Sequence, residues 1–390
     1  MMKKVKRCGF QAGFTLVELM VAMVIGIFMV LALIVLLTNV NRNNGEMSKT
    51  GLMIENGRFA MYLLESDIAH AGFWGGFVPK FDDLTVTIVP GDKPTAVPDP
   101  CKTYSTWTAA DQDNLIGIGV QGYEIPATVP SPTLPVCASV VTNPKANTDV
   151  LFVRNAENSS ACVPGVASCP EPDVGDLMFQ VGRCGDVAAP TPYVLAPYND
   201  TASVHTLQQR DCTTTAELRR FVSTLYYIRN YSVTAGDNIP TLMRSSFGLS
   251  SGELKHKSAE ALVEGVEGFR VEYGVDNISD SGDAVNLSQA IVWENSETKT
   301  SPTNRGDGTP DGNYIRCTAA VPCTADQLVN VVAVKIYILL RSDRTTAGYQ
   351  DTKTYHLGST TMGPFNDGYK RYLLTQTVRL NNVSSRRETP

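Results

Sequence analysis

Glu18 is the single charge in an apolar run from Phe14 to Leu37, and a small residue, Gly13, stands immediately before that run. A carboxylate inside a membrane span costs roughly 2.5 to 3.5 kcal/mol on insertion scales, which marks it as a site in need of a partner. A cut after Gly13 would free an amine on Phe14, and a buried charge is tolerated when it is paired with such a cation. The chemistry on offer is a peptide cleavage followed by an ion pair inside an apolar helix.

Thiols form the second reactive set. Of nine cysteines, Cys8 would leave with a leader cut at Gly13, so Cys101, Cys137, Cys162, Cys169, Cys184, Cys212, Cys317 and Cys323 remain. That even set reads as a disulfide framework of an oxidising compartment. Small loops single out Cys162 with Cys169 and Cys317 with Cys323, leaving the pairing of the other four open. Zinc is the weaker alternative, because there is no Cys-x-x-Cys and the four histidines lie near no cysteine pair.

The element that must position Gly13, Phe14 and Glu18 is the apolar run itself. At about 1.5 Å per residue it makes roughly 36 Å of helix, enough to cross a hydrocarbon core of about 30 Å. Lys3, Lys4, Lys6 and Arg7 precede it without an acid, so the amino terminus stays cytoplasmic and the bulk of the chain lies outside. A secretory signal carries its small residues behind the apolar core, whereas Gly13 precedes it. Cleavage there would keep the helix on the mature protein.

Gly13, then Phe14-Thr15-Leu16-Val17-Glu18, then the apolar stretch resembles the class III signal of type IV prepilins. The resemblance implies that prepilin peptidase cuts between Gly13 and Phe14, that the new amine of Phe14 is methylated, and that Glu18, with Thr15 and Leu16, sets subunit register in a filament. The alternative is a plain signal anchor in which Glu18 is protonated or reaches toward the interface. The other motif residues together favour the cleaved form.

Behind the span, Thr38 to Gly45 is a polar exit that would loosen the helix. Met47, Ile54, Met61 and Ile68 then recur every seven residues, with Leu64 and Ala71 alongside. This predicts an amphipathic helix whose stripe faces its own domain, ending between Gly72 and Gly76. Leu84 to Val89 alternates like a strand.

The stretch 98–212 holds six of those eight cysteines and 13 of the 22 prolines, with short strand candidates at Val150 to Val153 and Leu177 to Val181. It predicts a loop-heavy, disulfide-held subdomain. Phe221 to Ile228, Phe269 to Val275, Val331 to Leu340 and Tyr372 to Leu380 read as the head's sheet. The third is long enough to be a helix on pattern alone.

Several tracts resemble the PilW family of minor type IV pilins: Asn56-Gly57-Arg58-Phe59-Ala60, Ala71 to Gly75, Phe269 to Asp276, Ile338 to Ser342, Tyr369-Lys370-Arg371-Tyr372 and Thr377 to Asn382. PilW is similar in turn to the J pseudopilin of type II secretion. The resemblance implies a low-abundance subunit that helps prime pilus assembly at or near the tip. Its partners would be prepilin peptidase, an inner-membrane assembly platform, the major pilin, other minor pilins and a tip adhesin.

Other motifs carry less. Gly117-Ile118-Gly119-Val120-Gln121-Gly122 spells a dinucleotide fingerprint, yet prolines follow where the phosphate-binding helix should open. Asp307 and Asp311 begin a calcium-like loop, but Thr318 stands where the bidentate acid belongs, so a solvated turn is the better account. Asp276, Asp280 and Asp283 add oxygens at irregular spacing. No nucleophile and base pair with a known catalytic spacing, so no catalytic residue, enzyme activity or cofactor is expected. With 33 Lys+Arg against 39 Asp+Glu the net charge is −6, which does not suit a nucleic-acid partner.

The expectation is an α+β, pilin-like chain: leader 1–13, membrane and assembly helix 14–37, amphipathic continuation 38–76, and a β-rich periplasmic or extracellular head 77–390. It would reside in the inner membrane as a single-pass protein and reach the pilus and cell surface on assembly. The competing functions are a type II secretion pseudopilin and an anchored adhesin or binding domain that never polymerises.

Overall fold

A computed structural model describes residues 13–127, 137–158, 172–185, 192–199 and 204–388. The chain divides into two compact units, Met1–Leu52 and Met53–Pro390. The single helix α1, Leu16–His70, contributes to both.

In the first unit the apolar residues of α1 are exposed along the run, and the helix is long and apolar enough to cross a membrane. The polar exit does not break it. Thr38 returns its hydroxyl to the Val35 carbonyl at 2.9 Å, and α1 continues through Gly45. An interior glycine costs only about 1 kcal/mol relative to alanine, too little to end a helix of this length.

In the second unit α1 buries Met53, Gly57, Ala60, Met61, Leu64 and Ile68, which fall on one helical stripe. Ile54 is half-buried, and Met47, which shares its seven-residue repeat, is 72% exposed in the first unit. Gly57 has a steric reason. A Cβ there would collide with Leu340 and come within 2.8 Å of Leu374, so the missing side chain lets the helix lie against the sheet.

The head contains two main sheets. The larger is built from β1 (Val120–Ile125), β2 (Thr148–Ala156), β3 (Leu177–Val181), β4 (Tyr193–Pro197), β5 (Leu218–Arg229), β6 (Thr241–Ser250), β7 (Glu253–His256) and β8 (Glu260–Glu264). Its order is β1-β2-β5-β3-β4, with β6 also on β5 and β7 and β8 on β6. The second sheet consists of β9 (Val266–Val275), β12 (Val331–Arg341) and β15 (Arg371–Arg379), antiparallel with β12 central. Two short hairpins form separate two-stranded sheets, β10–β11 (Trp293–Asn295 with Thr300–Pro302) and β13–β14 (Tyr355–Leu357 with Thr360–Met362), the second packing on β12. Three short α-helices complete the set among the described residues: α2 (Ala109–Gly117), α3 (Ala325–Val329) and α4 (Asn381–Arg387).

β12 is a strand, and its ambiguity in sequence has a packing cause. Val332, Val334, Ile336, Ile338 and Leu340 share a core with α1, while Tyr337 and Leu339 join a second cluster with Tyr355 and Leu357. A strand buried on both faces reads as one continuous apolar run.

Two expectations are corrected. Leu84 to Val89 forms no strand: the Asp83 carboxylate accepts from the Thr85 amide at 2.9 Å and its hydroxyl at 2.7 Å, closing a turn, and Ile88 and Val89 are exposed. Nor is 98–212 a segment apart. Its strands β2 and β3 pair directly with β5, so these residues build the head's main sheet and core.

Candidate functional site

Gly13 and Phe14 lie ahead of α1 with no regular structure, and the Phe14 side chain is 87% exposed. The helix starts where it does because Thr15 and Glu18 cap each other. The Thr15 amide and hydroxyl donate to Glu18 Oε2 at 2.9 and 2.8 Å, and the Glu18 amide donates to the Thr15 hydroxyl at 3.3 Å. This reciprocal arrangement satisfies amides that have no partner within the first turn. It leaves the Gly13–Phe14 bond outside the helix, in exposed chain without regular structure. Leu16 opens the helix with its side chain exposed. The sequence carried this signal as Thr-x-x-Glu, which was masked by the more obvious role of Glu18 as a lone charge.

At the other end, α1 is tied down by the carboxyl-terminal helix. Asn382 donates to the carbonyls of Ala69 and Ala71, each at 3.4 Å, and Arg386 donates to that of Gly72 at 2.5 Å. Trp74, just beyond, donates to the Ile116 carbonyl at 3.0 Å and stacks on Phe221.

The tracts near the carboxyl terminus converge in space. Arg371, fully buried, pairs with Glu267 at 2.5 Å, Asp351 at 2.9 Å and Asp367 at 2.7 Å. Burial disfavours its charge, but the bonds from Asp367 and Glu267 outweigh that and hold the guanidinium charged. Arg341 lies 4.2 Å over the Tyr369 ring, and the Ser342 amide donates to the Lys370 carbonyl at 2.9 Å. Sequence reading gave these residues no role because their partners are distant in the chain.

Three disulfides are present among the described residues: Cys101–Cys137, Cys184–Cys212 and Cys317–Cys323. The expected Cys162–Cys169 pair lies outside the described residues. The two calcium candidates hold turns. Asp307 accepts from the Thr309 amide at 2.7 Å, and Asp311 accepts from the Asn277 and Ile278 amides at 2.7 Å each. Asp276, grouped with them in sequence, is buried against Arg387 at 3.1 Å. Among the described residues no three His, Cys, Asp or Glu side chains converge as metal ligands.

The nearest approach to a hydrolytic pair is His256, 3.4 Å from Ser223 and 3.3 Å from Ser245. Its ring packs against Phe152 and Phe247, and burial, with Arg154 nearby, pushes its pKa down to about 3. An imidazole with so little basicity, buried in the core, is a packing group.

Residues 225–382, from β5 to the start of α4, match the family model described as Type IV Pilus-assembly protein W. Residues 9–36 match the one described as Prokaryotic N-terminal methylation motif, which spans Gly13, Phe14 and Glu18. The chain is thus similar to PilW over its carboxyl-terminal two fifths and to prepilins at its amino terminus. Among solved structures, a type IV-like pilin from Thermus thermophilus is similar at 16% identity and a TM-score of 0.15, covering 41% of this chain and 79% of that one. No curated protein matches the chain. The segment matched to PilW includes the Arg371 cluster, whereas β1 to β4 lie between the two matched segments.

Proposed function

We propose that the chain is a minor type IV pilin, cut by prepilin peptidase between Gly13 and Phe14, methylated at Phe14, and drawn from the inner membrane into a pilus whose assembly it helps to initiate at or near the tip. The observation that carries this reading is an exposed Gly13–Phe14 bond held just outside a capped apolar helix that leads to the segment matched to PilW. Glu18 is placed at the third helical position, one turn from the amine that cleavage would create. In a packed filament that carboxylate pairs with an amine on Phe14 of the same or a neighbouring subunit, since an unpaired charge there is costly. The partners on this reading are the assembly platform, the major pilin, other minor pilins and a tip adhesin.

Mass spectrometry of the membrane-extracted protein, from cells with and without the peptidase, tests it. A chain beginning at methylated Phe14 only when the peptidase is present supports the proposal; an intact Met1 terminus in both would overturn it. Co-purification with pilus components rather than a secretion complex separates a pilin from a pseudopilin.

A further inference from the structure

On the head, three arginines line one concavity in a chain that is acidic as a whole. Arg219 belongs to β5, paired opposite Phe179 of β3, and Arg183 lies two residues beyond the end of β3. Arg210 comes from the loop between the bridged residues Gln208 and Thr215. The Cys184–Cys212 disulfide, with Cα atoms 4.9 Å apart, joins the loop bearing Arg210 to the segment bearing Arg183. The Arg183 amide also donates to the Gln208 carbonyl at 2.9 Å.

The floor is cut to fit these side chains. Gly75 and Gly76 have φ of +61° and +90°; a Cβ on the first would lie 2.9 Å from Arg219 Cδ, and one on the second 3.0 Å from Arg183 Nη2. Arg183 donates to the Gly75 carbonyl at 2.9 Å. Arg219 donates to the Glu157 carbonyl at 3.0 Å and lies over the Phe73 ring. Both heads are therefore held in place. Arg210 stands exposed on the rim with no salt-bridge partner among the described residues.

Among the described residues, the carboxylate lining the pocket is that of Glu217, 3.5 Å from Arg219. Asp211, beside Arg210 in sequence, is engaged by the Thr213 and Thr214 amides at 3.1 and 2.9 Å. Among the described residues, three guanidinium groups line the pocket with one carboxylate, an excess of positive charge, and like charges held close repel unless an anion joins them. The cavity measures about 170 Å³. Pockets for drug-sized ligands run roughly 300 to 1,000 Å³, so this one suits a single ionic group.

We propose that this pocket binds a phosphate dianion, either inorganic phosphate or the phosphomonoester of a surface molecule. A phosphomonoester carries about −1.5 to −2 charges at pH 7, which matches the excess. The planar donor forks of arginine suit its oxygens.

The test is calorimetric titration of the full-length protein in detergent micelles with inorganic phosphate, glycerol 3-phosphate and acetate in chloride buffer. Saturable 1:1 binding of phosphate is expected, weakened at least tenfold in Arg210→Ala with its thermal midpoint unchanged, and tightened in Glu217→Gln. Glycerol 3-phosphate binding as well points to a phosphoryl group on a carrier, and binding of phosphate alone points to the free ion. No saturable binding, equal affinity in Arg210→Ala, or acetate bound as tightly as phosphate would each overturn the proposal.

Discussion

Arg387, the last residue of α4, places its Nε 2.8 Å from Oδ1 of Asp82, which ends a short 3-10 turn more than three hundred residues earlier in the chain. The same guanidinium reaches Asp276 at 3.1 Å and the Val329 carbonyl at 3.2 Å, and all three charged side chains are buried. Burial pushes the Asp276 carboxyl up despite Arg387 and the Gly308 amide, so the carboxylate depends on its partner to stay ionised. Arg387→Met would leave Asp276 buried without its cation and Asp82 with only Arg386, at 3.4 Å. Breaking a buried pair from one side costs about 3 to 5 kcal/mol. Urea denaturation of the head should show a loss of that size, while Arg344→Met, at an exposed pair with Asp343, should change stability by less than about 1 kcal/mol.

Gly57 sets how closely α1 approaches β12 and β15. Gly57→Val would push a branched side chain into Leu340 and Leu374, and overpacking of this kind typically costs about 1 to 3 kcal/mol. Gly51→Ala, one to two turns earlier, meets nothing within 4 Å and should instead stabilise the helix by up to about 1 kcal/mol. Thermal melts of the two variants moving in opposite directions would establish that Gly57 is a spacing residue. A melt of Gly57→Val equal to wild type would show that the helix can stand off the sheet.

His256 supplies a pH dependence whose sign follows from its environment. Burial first, and Arg154 second, depress its folded pKa to about 3 from an ordinary value of 6.5. The unfolded chain therefore takes up the proton first as pH falls. Its contribution is fully present above about pH 6.5 and is lost progressively toward pH 3, by up to about 1.4 kcal/mol per pH unit. His256→Gln should show a flatter decline between pH 6.5 and 4 than wild type in denaturant titrations. Parallel curves would mean the imidazole finds a proton acceptor inside the head.

How far these features could be read from sequence depended on whether their determinants are local. Gly13 through Glu18 form a contiguous motif, and the strands at Leu177 to Val181 and Phe269 to Val275 carried their own residue types. β12 was ambiguous because burial on both faces erased its alternation. The stretch 98–212 looked like an insertion because its short strands, set among prolines and cysteines, take their order from pairing with β5. Asp82, Asp276 and Arg387 have no local pattern at all. Nor do Arg183, Arg210 and Arg219, which the fold and the Cys184–Cys212 bridge bring together.

On the proposed reading Glu18 has two separable roles, and a set of variants divides them. As an N-terminal cap it accepts from the Thr15 amide and hydroxyl; as the lone charge in the apolar run it is available to an amine on Phe14. Thr15→Ala removes the hydroxyl half of the cap and should reduce helix stability by about 0.5 to 2 kcal/mol while keeping the charge. Glu18→Gln keeps an oxygen acceptor for the cap and removes the charge. Glu18→Ala removes both. If pairing with the amine drives incorporation, Glu18→Gln and Glu18→Ala should both be cleaved and inserted normally yet be depleted from sheared filaments, with Thr15→Ala close to wild type. Depletion of Thr15→Ala as deep as that of Glu18→Ala would make capping the governing role, and normal incorporation of Glu18→Ala would remove the pairing altogether. Gly13→Leu belongs in the same experiment as the processing control: a bulky residue there should leave the uncut precursor in the membrane, so that losses after cleavage are distinguished from losses before it.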